Sequence, residues 1–123
     1  MKKILIVDDQ QEVRELVEVT LRIGDYEILQ AENGPEALEI VRAEMPDMIL
    51  LDVMMPKGGM DGFKVCEILK NDPQTSGITI VMLSAKGQDV DKARGKQAGA
   101  DDYFTKPFSP LALMNKVDQV LGD

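Results

Sequence analysis

The chain reads as an α/β domain: a five-stranded, doubly wound parallel sheet of order 2-1-3-4-5, layered between helices. Three observations predict it. Met48-Ile49-Leu50-Leu51 is an unbroken apolar run that stops on Asp52, and a run without polar alternation suits a strand covered on both faces. Ile4-Leu5-Ile6-Val7 repeats the pattern and stops on Asp8-Asp9. Segments of strand character then alternate with segments of helical period five times, which right-handed crossovers close into one parallel sheet.

Lys2 to Val7 is the first strand. From Gln10 the apolar positions Val13, Leu16, Val17, Thr20 and Leu21 share one helical face, and Gly24 supplies a stop. Tyr26 to Ala31 is the second strand. Asn33, with Glu36 three positions on, opens a helix whose inner face carries Ala37, Leu38 and Val41 and which Pro46 ends. Asp47 to Asp52 is the third strand. A turn-rich loop, Val53 to Met60, precedes Asp61, which caps a helix burying Val65, Ile68 and Leu69 and ending before Asp72-Pro73. Ile78 to Leu83 is the fourth strand, closed by Ser84. The helix from about Gln88 to Ala98 is weaker, because the internal Gly95 costs about 1 kcal/mol relative to alanine. Gly99 ends it. Asp101 to Thr105 is the last strand, and Ser109-Pro110 pairs an N-cap with a first helical position. The final helix turns Leu113, Val117, Val120 and Leu121 inward.

At 123 residues the sequence supports a single domain, 1-123, with no output domain in it. No apolar run reaches the length of a membrane span, about 20 residues, and Met1-Lys2-Lys3 lacks the apolar stretch of a signal peptide. A single cysteine, Cys66, fits a reducing compartment. The expectation is a cytoplasmic protein. A net charge of −8 argues against direct nucleic-acid binding. With no histidine, neither Ser-His-Asp catalysis nor histidine-ligated zinc is available.

The strand order puts its reversal point between the first and third strands, which end in Asp8-Asp9 and Asp52. Ligands bind at such points in open α/β sheets. Three converging carboxylates repel one another, and a divalent cation removes the conflict. Oxygen-only ligands, with room left for water and phosphate, favour Mg²⁺. The plainer alternative is that Asp8 and Asp9 only cap the first helix; a third aspartate at the reversal point weighs against it. Ser84 and Lys106, at the ends of the fourth and fifth strands, place a hydroxyl and an ammonium on the same edge. That set suits a phosphoryl group attacked in line by a carboxylate.

Asp8-Asp9, Leu51-Asp52-Val53-Met54-Met55-Pro56, Met60-Asp61-Gly62, Ser84-Ala85 and Lys106-Pro107-Phe108 resemble the receiver domain of two-component response regulators, over essentially the whole chain. The resemblance implies a flavodoxin-like three-layer sandwich. It implies that Asp52 accepts phosphate from a phosphohistidine of a histidine kinase or phosphotransfer protein. Asp9, Asp52 and the Met54 carbonyl would bind Mg²⁺, with Asp8 acting through a water. Lys106 would pair with the phosphoryl oxygens and Ser84 would hydrogen-bond one of them. Tyr103 matches the aromatic that such domains reorient when Ser84 moves. The face of the fourth helix, fifth strand and fifth helix would be read by a downstream protein target, with dimerisation on activation left open.

The loop across Lys57-Met60 is two residues longer than the usual form of that family. Met54 and Lys86 stand two positions after Asp52 and Ser84, where side chains of the family influence hydrolysis of the phosphate. A thioether orients an attacking water poorly, so the phosphoryl-aspartate should be long-lived. The double change Met54→Asn and Lys86→Glu should speed its decay, measured as loss of the phosphorylated mass with time. Two other functions fit the fold: an Mg²⁺-dependent small-molecule phosphohydrolase, for which no lid domain is present, and a nucleotide binder, for which no Gly-rich loop is present.

Overall fold

A computed structural model describes residues 1–53, 60–85, 89–106 and 109–121. Five strands alternate with five helices: β1 (Lys2–Val7), α1 (Gln11–Leu21), β2 (Tyr26–Ala31), α2 (Gly34–Glu44), β3 (Met48–Asp52), α3 (Gly62–Lys70), β4 (Thr79–Ala85), α4 (Asp89–Ala98), β5 (Asp102–Lys106) and α5 (Pro110–Leu121). The strands form one sheet of order β2-β1-β3-β4-β5, and every pairing is parallel. The expected architecture is the one observed.

The apolar runs work because each residue meets a helix layer whichever way it points. Leu5, Val7, Ile49, Leu51, Ile80 and Met82 pack with Ala37, Leu38 and Val41 of α2 and Val65, Cys66 and Leu69 of α3. Ile4, Ile6, Met48, Leu50, Val81 and Leu83, the alternate positions, pack with Val17 and Leu21 of α1 and Leu113 and Val117 of α5. All five residues of β3 are buried, as a central strand between two layers requires.

Local signals set most boundaries. Asn33 Oδ1 accepts the Glu36 amide at 2.8 Å, Asp61 Oδ1 accepts the Lys64 amide at 2.9 Å, and Ser109 Oγ accepts the Ala112 amide at 3.1 Å. Each satisfies a backbone donor that the first helical turn leaves open. Gly99 ends α4 at φ +97, a conformation open to glycine at little cost.

Several boundaries depart from expectation. β4 begins at Thr79 and runs through Ser84 to Ala85, because the ladder with β5 continues there: Ser84 pairs with Thr105 and Ala85 with Lys106. A polar side chain does not end a strand whose neighbour still offers backbone partners. β5 starts at Asp102 and includes Lys106. Asp101 drops out because its carboxylate, rather than its backbone oxygen, accepts the Ile80 amide at 2.8 Å. α2 stops at Glu44, with Met45 left-handed at φ 46 and its amide on the Val41 carbonyl at 2.8 Å. α1 ends at Leu21, whose carbonyl accepts the Gly24 amide at 3.1 Å. Leu16, expected on the inner face of that helix, is 43% exposed, since the packed stripe is the narrower set of Val17, Thr20 and Leu21.

Candidate functional site

Register alone brings the aspartates together. Val7 pairs with Leu51, so the next residues out from the sheet are Asp8 on one strand and Asp52 on its neighbour. The Asp8 amide donates to the Ala31 carbonyl at 3.1 Å, extending the β1–β2 ladder by one step. Asp8 Oδ1 accepts the Gln10 amide at 2.9 Å and so shapes the turn that leads into α1, but no side chain caps that helix, whose N-cap is Gln10; the capping alternative does not account for this aspartate. Arg14 braces the same turn from α1: Nη1 donates to the Asp8 carbonyl at 2.6 Å and Nε to Gln30 Oε1 at 3.2 Å.

One carboxylate oxygen from each of Asp8, Asp9 and Asp52 lies within 4.8 Å of the other two. Asp8 is fully buried, Asp52 is 5% exposed and Asp9 is half-buried. Carboxylates this close and this dry carry a large mutual repulsion when ionised. A small hard cation bound by oxygen ligands relieves it, and the half-buried Asp9 leaves the cluster open on one side. The donor set therefore fits Mg²⁺ or a similar ion. Met54, whose carbonyl the resemblance adds to the ligands, lies outside the described residues.

Of the other predicted residues, Ser84 and Lys106 occupy the last turns of the ladder on β4 and β5, on the same edge as Asp52, which pairs with Leu83. Their side chains lie outside the described residues, as do Lys86 and the loop residues 54–59. Tyr103 is half-buried on β5 and packs against the core layer under α2, α3 and α4. Its ring bears on Gly95: a Cβ added to that glycine would stand 3.1 Å from Tyr103 Cε2. The glycine read as a weakness of the helix is thus also the room the tyrosine occupies.

Gly62 is a site residue whose role the spacing did not reveal. A side chain on it would collide with the Asp52 carbonyl oxygen and come within 3.0 Å of Val53 Cα. Its amide donates to the Val53 carbonyl at 3.3 Å. The start of α3 is therefore pressed against the backbone of the central aspartate. A glycine directly after a capping aspartate was the available signal, but its partner is remote in sequence.

Burial raises the Asp102 carboxyl, and the hydrogen bonds from Lys116 Nζ and the Tyr103 amide more than offset this, holding it below the usual range. Cys66 is buried, and desolvation pushes its thiol up to about 11, as expected of an unreactive core residue. Among the described residues no helix is long and apolar enough to cross a membrane.

The sequence profile of the response regulator receiver domain family matches residues 4–118. The phosphate regulon transcriptional regulatory protein PhoB of Pseudomonas aeruginosa is 46% identical over 120 residues, covering 98% of this chain and 52% of that protein. The alkaline phosphatase synthesis transcriptional regulatory protein PhoP of Bacillus subtilis is 43% identical over 120 residues, covering 98% and 48%. The chain thus spans about half the length of the curated relatives it matches. Among solved structures, a putative response regulator from Chloroflexus aurantiacus superposes with a TM-score of 0.92 at 38% identity, covering 99% of this chain and 98% of that one. The chemotaxis protein CheY4 of Vibrio cholerae gives 0.90 at 35%, covering 98% and 99%.

Proposed function

Since this chain belongs to the response regulator receiver domain family, we propose that Asp52 is its phosphoacceptor and that a phosphohistidine of a histidine kinase or phosphotransfer protein is the donor. One Asp52 carboxylate oxygen attacks the phosphorus in line. The new O–P bond forms as the P–N bond to the donor imidazole breaks, and the bonding pair leaves with that nitrogen. The observation that carries this reading is the three-aspartate cluster, gathered within 4.8 Å at the sheet's reversal point with Asp52 at its nearly dry centre.

The residues divide the work. Asp8, Asp9, Asp52 and the Met54 carbonyl would hold Mg²⁺. The bound ion supplies positive charge that lets a dianionic phosphoryl group approach an acidic site. Lys106 offsets charge on the phosphoryl oxygens from the β5 side, and Ser84 donates a hydrogen bond to one of them. Gly62 and Arg14 keep the backbones of Asp52 and Asp8 in register. The phosphorylated state then acts on the surface of α4, β5 and α5, where a downstream protein reads it; self-association on that surface is one form the reading can take. A cytoplasmic setting suits a phosphoryl donor of this kind.

Intact-mass measurement after incubation with acetyl phosphate and Mg²⁺ tests the assignment. The expected result is a gain of one phosphate, lost when the metal is chelated beforehand and absent in Asp52→Asn. A chain that gains no mass under these conditions, or an Asp52→Asn variant that still does, overturns it. Repeated turnover of a small phosphoester without the covalent mass would point instead to a hydrolase.

A further inference from the structure

Among its described side chains, few groups of α4 are buried against the domain. Among residues 93–100, Gly95 alone is buried, and Ala98 and Ala100 are half-buried. Arg94, directly before that glycine, reaches across to α3. Its Cζ stands 4.2 Å from the centroid of the Phe63 ring, and its Nη2 lies 3.7 Å from Asp61 Oδ2. The other oxygen of Asp61 caps α3 at the Lys64 amide, and Phe63 is 8% exposed within the core. Arg94 thus grips both neighbours of Gly62, the residue pressed against the Asp52 carbonyl.

An exposed ion pair alone contributes little. Here the same guanidinium also lies over an aromatic face, a contact that adds to the pair and suits its planar shape. Two adjacent residues of α4 therefore face two parts of the site: Arg94 contacts the side chains on either side of Gly62, and Gly95 bears on Tyr103. Moving α4 off Tyr103 strains or breaks the Arg94 grip. Reciprocally, displacing the start of α3 pulls on α4.

We propose that Arg94 is a positioning residue that couples α4 to the backbone supporting Asp52, through Asp61, Gly62 and Phe63. The coupling is a property of the fold, and only its use in signalling rests on Asp52 being the phosphoacceptor. Replacing Arg94 should then loosen two separate places, the helix that carries it and the α3 start some thirty positions earlier in the chain.

Amide hydrogen exchange on the protein without a phosphoryl donor reads both places in Arg94→Ala and Arg94→Lys. In Arg94→Ala, amides 94–98 and those of Gly62 and Lys64 should exchange faster by about threefold, the scale of one exposed cation–π contact. Arg94→Lys keeps the charge but not the planar stack, so it should fall between. With acetyl phosphate and Mg²⁺, the rate of phosphate uptake in Arg94→Ala should drop by a similar factor and recover in part in Arg94→Lys. Faster exchange confined to α4, or unchanged at both places, overturns the coupling. If the parent protein takes up no phosphate, the reading of Asp52 fails, while the exchange pattern still decides the role of Arg94.

Discussion

A methyl group on Gly62 would meet the carbonyl oxygen of Asp52 at a distance no packed structure accepts, with Asp52 C and Val53 Cα each 3.0 Å away. These are backbone atoms of a buried strand, so the strain cannot be relieved by turning a side chain. Gly62→Ala should therefore push α3 outward and cost about 1–3 kcal/mol, the usual penalty for overpacking a tight contact. The urea midpoint should fall, and phosphate uptake should fall further than the stability loss explains, because the Asp52 backbone is what moves. A variant of unchanged midpoint would mean that α3 yields freely. At this scale the sequence supplied identities but not neighbours. Asp8, Asp9 and Asp52 were legible because apolar runs end on them. Arg14 and Arg94 were not, nor was the contact that makes position 62 a glycine, because their partners lie in other elements and no spacing rule links them.

Among the elements, α4 combines a low intrinsic preference with a specific packing demand. Gly95→Ala at an exposed helical position would gain about 1 kcal/mol from propensity. Here the added methyl stands 3.1 Å from Tyr103 Cε2 and 3.5 Å from Met82 Cγ, so the ring must give by a few tenths of an ångström. The expected net gain is under about 0.5 kcal/mol by chemical denaturation, since crowding offsets propensity, together with a displaced Tyr103 ring resonance. A full gain with an unmoved ring would show that the contact carries no constraint. β4 and β5 teach a related lesson. Their ends lie a residue or two from where the side chains alone place them, since a strand continues as long as its neighbour offers ladder partners and stops where a side chain such as Asp101 takes them. The starts of α2, α3 and α5 are legible from the chain, because an N-cap hydrogen bond closes within three residues.

For the molecule as a whole, a metal held by the aspartate cluster would register as added stability. Ligand binding to the folded state alone adds about 2.7 kcal/mol at a concentration one hundred times the dissociation constant. Saturating Mg²⁺ should therefore raise the thermal midpoint of the parent protein by several degrees. Asp9→Asn should lose most of that response and, without metal, should be no less stable than the parent, because one of three mutually repelling charges is gone. A midpoint that ignores Mg²⁺ would contradict the donor set. Two core layers, one on each face of the sheet, supply the packing of the rest of the domain.

The sequence by itself determined the class of the fold, the strand order and the strand-end aspartates, because covered strands must be apolar along their length and charge can appear only where they emerge. It also carried enough local motifs, in order, to resemble one family. Tertiary structure alone decided the rest: which oxygens approach within 4.8 Å, why residue 62 must lack a side chain, and that Arg94 lies over Phe63. Those facts depend on where elements distant in the chain come to touch. Periodicity and capping, which act over a few residues, cannot encode them.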